Sequence, residues 1–192
     1  MGKIFYMMGK SSSGKDTIFE KIIQKNTEKS EISEQLKGLR EQLTLLESNM
    51  PQALADGEFI VYYQPKVRID TRTLVGAEAL IRWNRDGKVI SPADFIPIAE
   101  RTGLIMKLDM FVLEHTCAMI KKWQESGKSI VPVSVNFSKI HLRFPHLAEK
   151  IMNVINRYDI EPHFLEVEFT ETAYTDDFNA IKQAIIDLKS YG

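Results

Sequence analysis

The sequence predicts an α/β protein, on three observations. Strand-like and helix-like apolar patterns alternate from about residue 50 to the end. The apolar runs alternate between periods near two and near 3.6 residues. Short turn signals separate them, with no long stretch of low complexity. Alternation of this kind argues for parallel strands connected through helices.

The elements follow in order. Phe59 to Ile69 is β-rich, and Leu74 to Trp83 carries another strand. Pro92 to Glu100 opens a helix with Ser91 placed to cap it. Leu104 to Trp123 is a long amphipathic helix ending near Gly127. Ile130 to Phe137 is a mostly buried strand, Leu147 to Tyr158 a helix, Phe164 to Thr170 a strand, and Asp176 to Ser190 a last helix.

Two zones precede this region. Residues 1–25 read as strand (Lys3 to Met8), Gly/Ser loop and helix (Thr17 to Gln24). Residues 26–49 are polar, with Ile32, Leu36, Leu39, Leu43, Leu46 and Met50 at alternating spacings of four and three. That heptad seam fits a self-associating helix or a single helix lying on its neighbour. Gly38 weakens the helix by about 1 kcal/mol. The expected domains are therefore 1–25, 26–49 and 50–192.

Bulk properties exclude several classes. A net charge of −1 over 192 residues provides no global field for nucleic acid or an anionic membrane. No run of about 18 apolar residues exists to span a bilayer, and the N-terminus lacks a secretory pattern. The single cysteine, Cys117, excludes a disulfide framework and fits a reducing cytoplasm; its apolar helical setting reads as a buried structural thiol.

Glu78, Asn136 and Glu168 each fall near the end of a strand signal, where a β/α barrel gathers its catalytic groups. Two carboxylates and an amide oxygen form a hard donor set suited to Mg²⁺ or Mn²⁺.

Ordered motifs across residues 50–192 carry a resemblance. Tyr63-Gln64-Pro65 is followed by Gly76-Ala77-Glu78-Ala79-Leu80 with Arg82-Trp83. Ser91-Pro92-Ala93-Asp94-Phe95-Ile96-Pro97, Ala99-Glu100, Thr102-Gly103-Leu104-Ile105, Val135-Asn136-Phe137-Ser138 and Glu168-Phe169-Thr170-Glu171-Thr172 come after it. This stretch resembles the first half of the EAL-type cyclic-di-GMP phosphodiesterases.

The resemblance implies a partial, TIM-like β/α barrel that hydrolyses cyclic di-GMP to linear pGpG with two divalent cations. It implies Glu78, Asn136 and Glu168 as metal ligands, Glu171 as steadying an active-site loop, and Gln64, Leu80 and Arg82 as substrate contacts. The family's next element, an Asp-Asp-Phe-Gly strand end, is not in this sequence. Asp176-Asp177 reads as helix-start acid instead. The expectation is weak or absent turnover by this chain alone, with inward apolar surface left uncovered. The alternatives are a non-catalytic cyclic-di-GMP binding module, or an interaction module pairing through the heptad helix or an open barrel edge.

Gly9-Lys10-Ser11-Ser12-Ser13-Gly14-Lys15 fits the phosphate-loop spacing G-x-x-x-x-G-K, with Asp16 at the place of the usual Ser or Thr. The opening segment is similar to the start of guanylate-kinase-like nucleotide kinases. It marks Gly9, Gly14 and Lys15 as candidate nucleotide contacts.

Overall fold

The computed structural model describes residues 15–169 and 178–191. The chain divides into two units, residues 1–45 and residues 46–192. The predicted strand at Lys3 to Met8, the Gly/Ser loop and Asp176-Asp177 lie outside the described residues.

The described elements are α1 (Lys15–Ala55), β1 (Phe59–Val67), β2 (Leu74–Arg85), β3 (Lys88–Ile90), α2 (Pro92–Thr102), α3 (Ile105–Glu125), β4 (Val133–Phe137), α4 (Leu147–Tyr158), β5 (Leu165–Phe169) and α5 (Phe178–Lys189). Short 3₁₀ turns at Lys139–Arg143 and Pro162–Phe164 follow β4 and precede β5.

In the first unit, α1 is continuous through the expected boundary at residues 25/26. Ile32 and Leu36 of the heptad pattern are exposed there.

The second unit is built on one mixed sheet with the path β1-β2-β4-β5, and β3 added to the far end of β2. The central pairings β2–β4 and β4–β5 are parallel, as the alternation of strands and helices predicts. The β1–β2 and β2–β3 pairings are antiparallel, which corrects the all-parallel expectation. The reason is connection length: too few residues separate these strands for a crossover helix, so they fold back as hairpins. At the tight β2–β3 turn, Asp86 and Gly87 both take positive φ (51° and 74°), and Asp-Gly is a strong signal for such a turn.

Period-two alternation gives the sheet two different faces. Ala77, Ala79, Trp83, Val133, Val135 and Phe137 point to the packed face and are buried. Leu113, Cys117 and Ile120 of α3 and Ile151, Val154 and Ile155 of α4 share that core. The i, i+3, i+4 spacing along α3 presents one apolar stripe to the sheet.

An aromatic trio closes the β1 end. Phe59 stacks on Trp83 with centroids 5.2 Å apart, and Phe95 meets both edge-on. The Trp83 indole Nε1 donates to Glu58 Oε2 at 2.7 Å, so its one polar atom is satisfied. Ser91 caps α2 as predicted, its Oγ accepting from Ala93 N at 3.3 Å. Pro92 stands at the first helical position, and Gly103 ends the helix at φ 77°.

Candidate functional site

The opposite sheet face carries polar groups at one end, beside Ile60, Tyr62 and Leu80 on the same face. Strand register places Gln64 opposite Glu78, Glu78 beside Ser134, and Asn136 beside Glu168. Cross-strand partners share a face and residues two apart on a strand share it too. Gln64, Lys66, Glu78, Ser134, Asn136, Glu166 and Glu168 therefore form one polar surface across four strands.

Three of the predicted oxygen donors meet on it. Asn136 Nδ2 donates to Glu78 Oε1 at 2.8 Å, and Glu168 is the next residue across the β4–β5 ladder from Asn136. Glu78 does not end its strand: β2 runs on to Arg85. What ends just beyond Glu78 is the parallel ladder with β4, whose last pair is Ala79 with Val135. Past that level β2 pairs with β1 and β3, so Glu78 still sits at the rim of the parallel core.

Lys66 is a site residue that motif reading missed. Its Nζ donates to Glu168 Oε1 at 2.8 Å and to Ser134 Oγ at 2.8 Å. The hydrogen bond to Lys66 holds the Glu168 carboxyl below the ordinary carboxylate range, and the same bond pushes Lys66 up. The available signal was the alternation Gln64-Pro65-Lys66, which puts Lys66 on the face of Glu78.

A cleft of about 220 Å³ adjoins this surface, with Leu80, Arg82 and Asn136 on one side and Ile96, Glu100 and Ile105 on the other. Arg82 Nη1 donates to the Ile81 carbonyl at 2.8 Å, and its guanidinium lies 5.8 Å from the Tyr62 ring centroid. Arg82 is thus one of the residues lining the cleft.

The loop after β4 is tied down on two helices. Ser138 N donates to Asp109 Oδ2 at 2.9 Å, and Ser138 Oγ donates to Glu100 Oε1 at 2.9 Å. His141 Nε2 lies 3.0 Å from the same Asp109 oxygen, and both His141 and Asp109 are buried. Burial outweighs these hydrogen bonds and raises the Asp109 carboxyl above its ordinary value. The motif Val135-Asn136-Phe137-Ser138 contained the anchor, but its partners on α2 and α3 were not legible from spacing.

Glu171 lies outside the described residues, as do Gly9 and Gly14. Lys15 begins α1. Among the described residues, no three His, Cys, Asp or Glu side chains form a cluster of metal-ligating geometry. The donor set here is two carboxylates and an amide, and a lysine ammonium bonded to one of those carboxylates shows that the face accepts positive charge.

A mixed sheet with helices on one face and clustered acid and amide groups on the other defines the chain as an α/β protein with a polar site on its sheet. A family model described as the EAL domain matches residues 47–192, and the chain belongs to that family. It is 32% identical over 154 residues to the bifunctional diguanylate cyclase/cyclic di-GMP phosphodiesterase MucR of Pseudomonas aeruginosa, covering 80% of this chain and 22% of that protein. It is 32% identical over 151 residues to the cyclic di-GMP phosphodiesterase PA2567 of the same organism, covering 78% and 25%. Among solved structures, the PaMucR phosphodiesterase in its c-di-GMP complex matches with a TM-score of 0.72 and 31% identity, covering 77% of this chain and 60% of that one. The chain thus spans about a quarter or less of these curated relatives. The family match begins after the candidate phosphate loop.

Proposed function

We propose that the polar sheet face is a cyclic-di-GMP site of the phosphodiesterase type, belonging to a TIM-like β/α barrel. The observation that carries this reading is the convergence of Glu78, Asn136 and Glu168 on adjacent strands, with Arg82 at the adjoining cleft. Similarity to the two named phosphodiesterases and to a c-di-GMP-bound structure supports it.

Glu78, Asn136 and Glu168 would hold Mg²⁺ or Mn²⁺, and Glu171 would take the family's loop-steadying role. The bound cation supplies charge neutralisation at the phosphate and activation of a water. Arg82 binds a phosphate oxygen through its planar fork. Gln64 and Leu80 orient the dinucleotide. Water adds across one phosphodiester bond, and the product is linear pGpG.

Chromatography of cyclic di-GMP incubated with Mn²⁺, alongside calorimetric titration, tests the reading. Binding that is lost in Glu78→Ala supports it; binding that Glu78→Ala leaves unchanged overturns it.

Two further proposals rest on the first unit. The exposed Ile32 and Leu36 support self-association through the heptad face; sedimentation of Leu36→Glu as a monomer beside a wild-type dimer would establish it. The G-x-x-x-x-G-K spacing that ends at Lys15 is the ground for a phosphate-binding loop; ATP binding lost in Lys15→Ala would establish that. A cytoplasmic location fits a nucleotide second messenger. Among the described residues no helix is long and apolar enough to cross a membrane.

A further inference from the structure

Lys66 makes two directed contacts on the donor face. They reach across the sheet from β1, the outer strand of the path, to Ser134 on β4 and Glu168 on β5. A lysine serving solubility alone would extend to solvent; this one is only 39% exposed and lies along the sheet. Its ammonium takes the position on Glu168 Oε1 that a cation ligated by that carboxylate would take.

We propose that Lys66 is an internal competitor for the cation site, occupying Glu168 until a divalent ion displaces it. The proposal rests on the metal reading of Glu78, Asn136 and Glu168. The ammonium sits 2.8 Å from Glu168 Oε1, so a dication taken by either oxygen of that carboxylate would lie within a few ångströms of a fixed positive charge. Moving the ammonium away also separates it from a dication that would repel it. Cation binding on Glu168 therefore works against the Lys66 ammonium, and the Lys66–Glu168 and Lys66–Ser134 bonds are the ones it displaces. Glu78 and Asn136 bond to each other and not to the ammonium, leaving Glu78 Oε2 and Asn136 Oδ1 for a metal.

The consequence is a site tuned to weaker divalent affinity than its donors alone would give. Because both partners are partly solvated, the effect is moderate: about fivefold in affinity, the scale of one partly exposed ion pair.

The test is Mn²⁺ binding by the full chain, read from the free-ion signal in electron paramagnetic resonance and from calorimetry, without substrate. Lys66→Met is expected to bind Mn²⁺ about fivefold tighter than wild type, and Lys66→Arg to stay near wild type. Lys66→Gln removes the charge while keeping a polar tip, and is expected to tighten binding about threefold; it serves if Lys66→Met does not fold. Equal affinity in wild type, Lys66→Met and Lys66→Gln overturns the proposal while leaving the metal reading intact. Weaker binding in Lys66→Met overturns it too, since Lys66 would then be positioning Glu168. No Mn²⁺ binding by any variant overturns the metal reading, and the proposal with it.

Discussion

Asn136 donates through Nδ2 to Oε1 of Glu78 at 2.8 Å, joining β4 to β2 by a side-chain bond directly above their last backbone pair. The bond fixes the amide orientation: with Nδ2 committed to Glu78, Oδ1 is the atom left to face a ligand. Two side chains that would otherwise be solvated independently are thus held in one geometry.

Replacing Asn136 with Ala removes that orientation and one oxygen donor. Both residues are only half-buried, so Glu78 can recover water and the loss of stability is small, about 1 kcal/mol or less. Metal affinity is expected to fall at least tenfold. Urea denaturation beside Mn²⁺ titration separates the two effects; a large fall in the urea midpoint with unchanged Mn²⁺ affinity would make Asn136 a structural residue instead.

Arg82 tests the phosphate assignment. Its Nη1 is held by the Ile81 carbonyl, which aims the guanidinium plane, and the Tyr62 ring lies beneath it. Lysine keeps the charge but has no planar fork to share between a carbonyl and a phosphate. Arg82→Lys is expected to weaken cyclic-di-GMP binding about tenfold, and Arg82→Ala more. Equal binding by wild type and Arg82→Ala, measured calorimetrically, would remove Arg82 from the site.

Asp109 gives a pH signature. Its carboxyl is raised by burial, so the folded chain holds the proton at pH values where the unfolded chain, near the ordinary value of about 3.9, has released it. The folded state binds more protons across that window. Its contribution to stability is therefore present below the unfolded value and lost as pH rises through the raised one. Asp109→Asn can still accept from Ser138 N and His141 Nε2 through one oxygen, because both bonds meet on Oδ2. The urea midpoint of wild type is expected to fall relative to Asp109→Asn as pH rises from about 4 through the window. Glu168, whose carboxyl is lowered, works in the opposite direction, but it is common to both proteins and cancels in the comparison. Parallel pH profiles would show that Asp109 titrates normally.

The sequence made the helices of the second unit legible because each carries its own signals: Ser91 and Pro92 start α2, Gly103 ends it, and the stripe along α3 marks its buried side. Glu78, Asn136 and Glu168 were legible because strand alternation and motif order place them at comparable heights. The antiparallel direction of β1 against β2 was legible too, in the short link between Val67 and Leu74, but the helix–strand alternation that follows argues for parallel strands. β3 was missed because three residues carry too little periodicity, although Asp86-Gly87 announced its turn. Lys66 and the Asp109–His141–Ser138 anchor depend on contacts between residues far apart in the chain. Local patterns carry no information about which of many lysines or aspartates will meet which partner.

Cys117 offers a probe of the core that is independent of the site. Its thiol is fully buried on α3, and desolvation, with a smaller contribution from the Glu114 carboxylate, pushes it up to about 12. At pH 8 the folded thiolate fraction is then on the order of one in ten thousand, against roughly one in four for an ordinary free cysteine. Reaction with a disulfide reagent therefore needs both exposure and ionisation, which the packed face supplies only on opening. Labelling is expected to be slower by several orders of magnitude in buffer than in 6 M guanidinium, the denaturant concentration of the control. Thr116 and Ile120 pack beside the thiol in the same helix stripe, so Ile120→Ala, which leaves a cavity costing about 2–5 kcal/mol, should accelerate labelling in proportion to the lost stability. Rapid labelling of the native wild type would mean that α3 does not seal this face of the sheet.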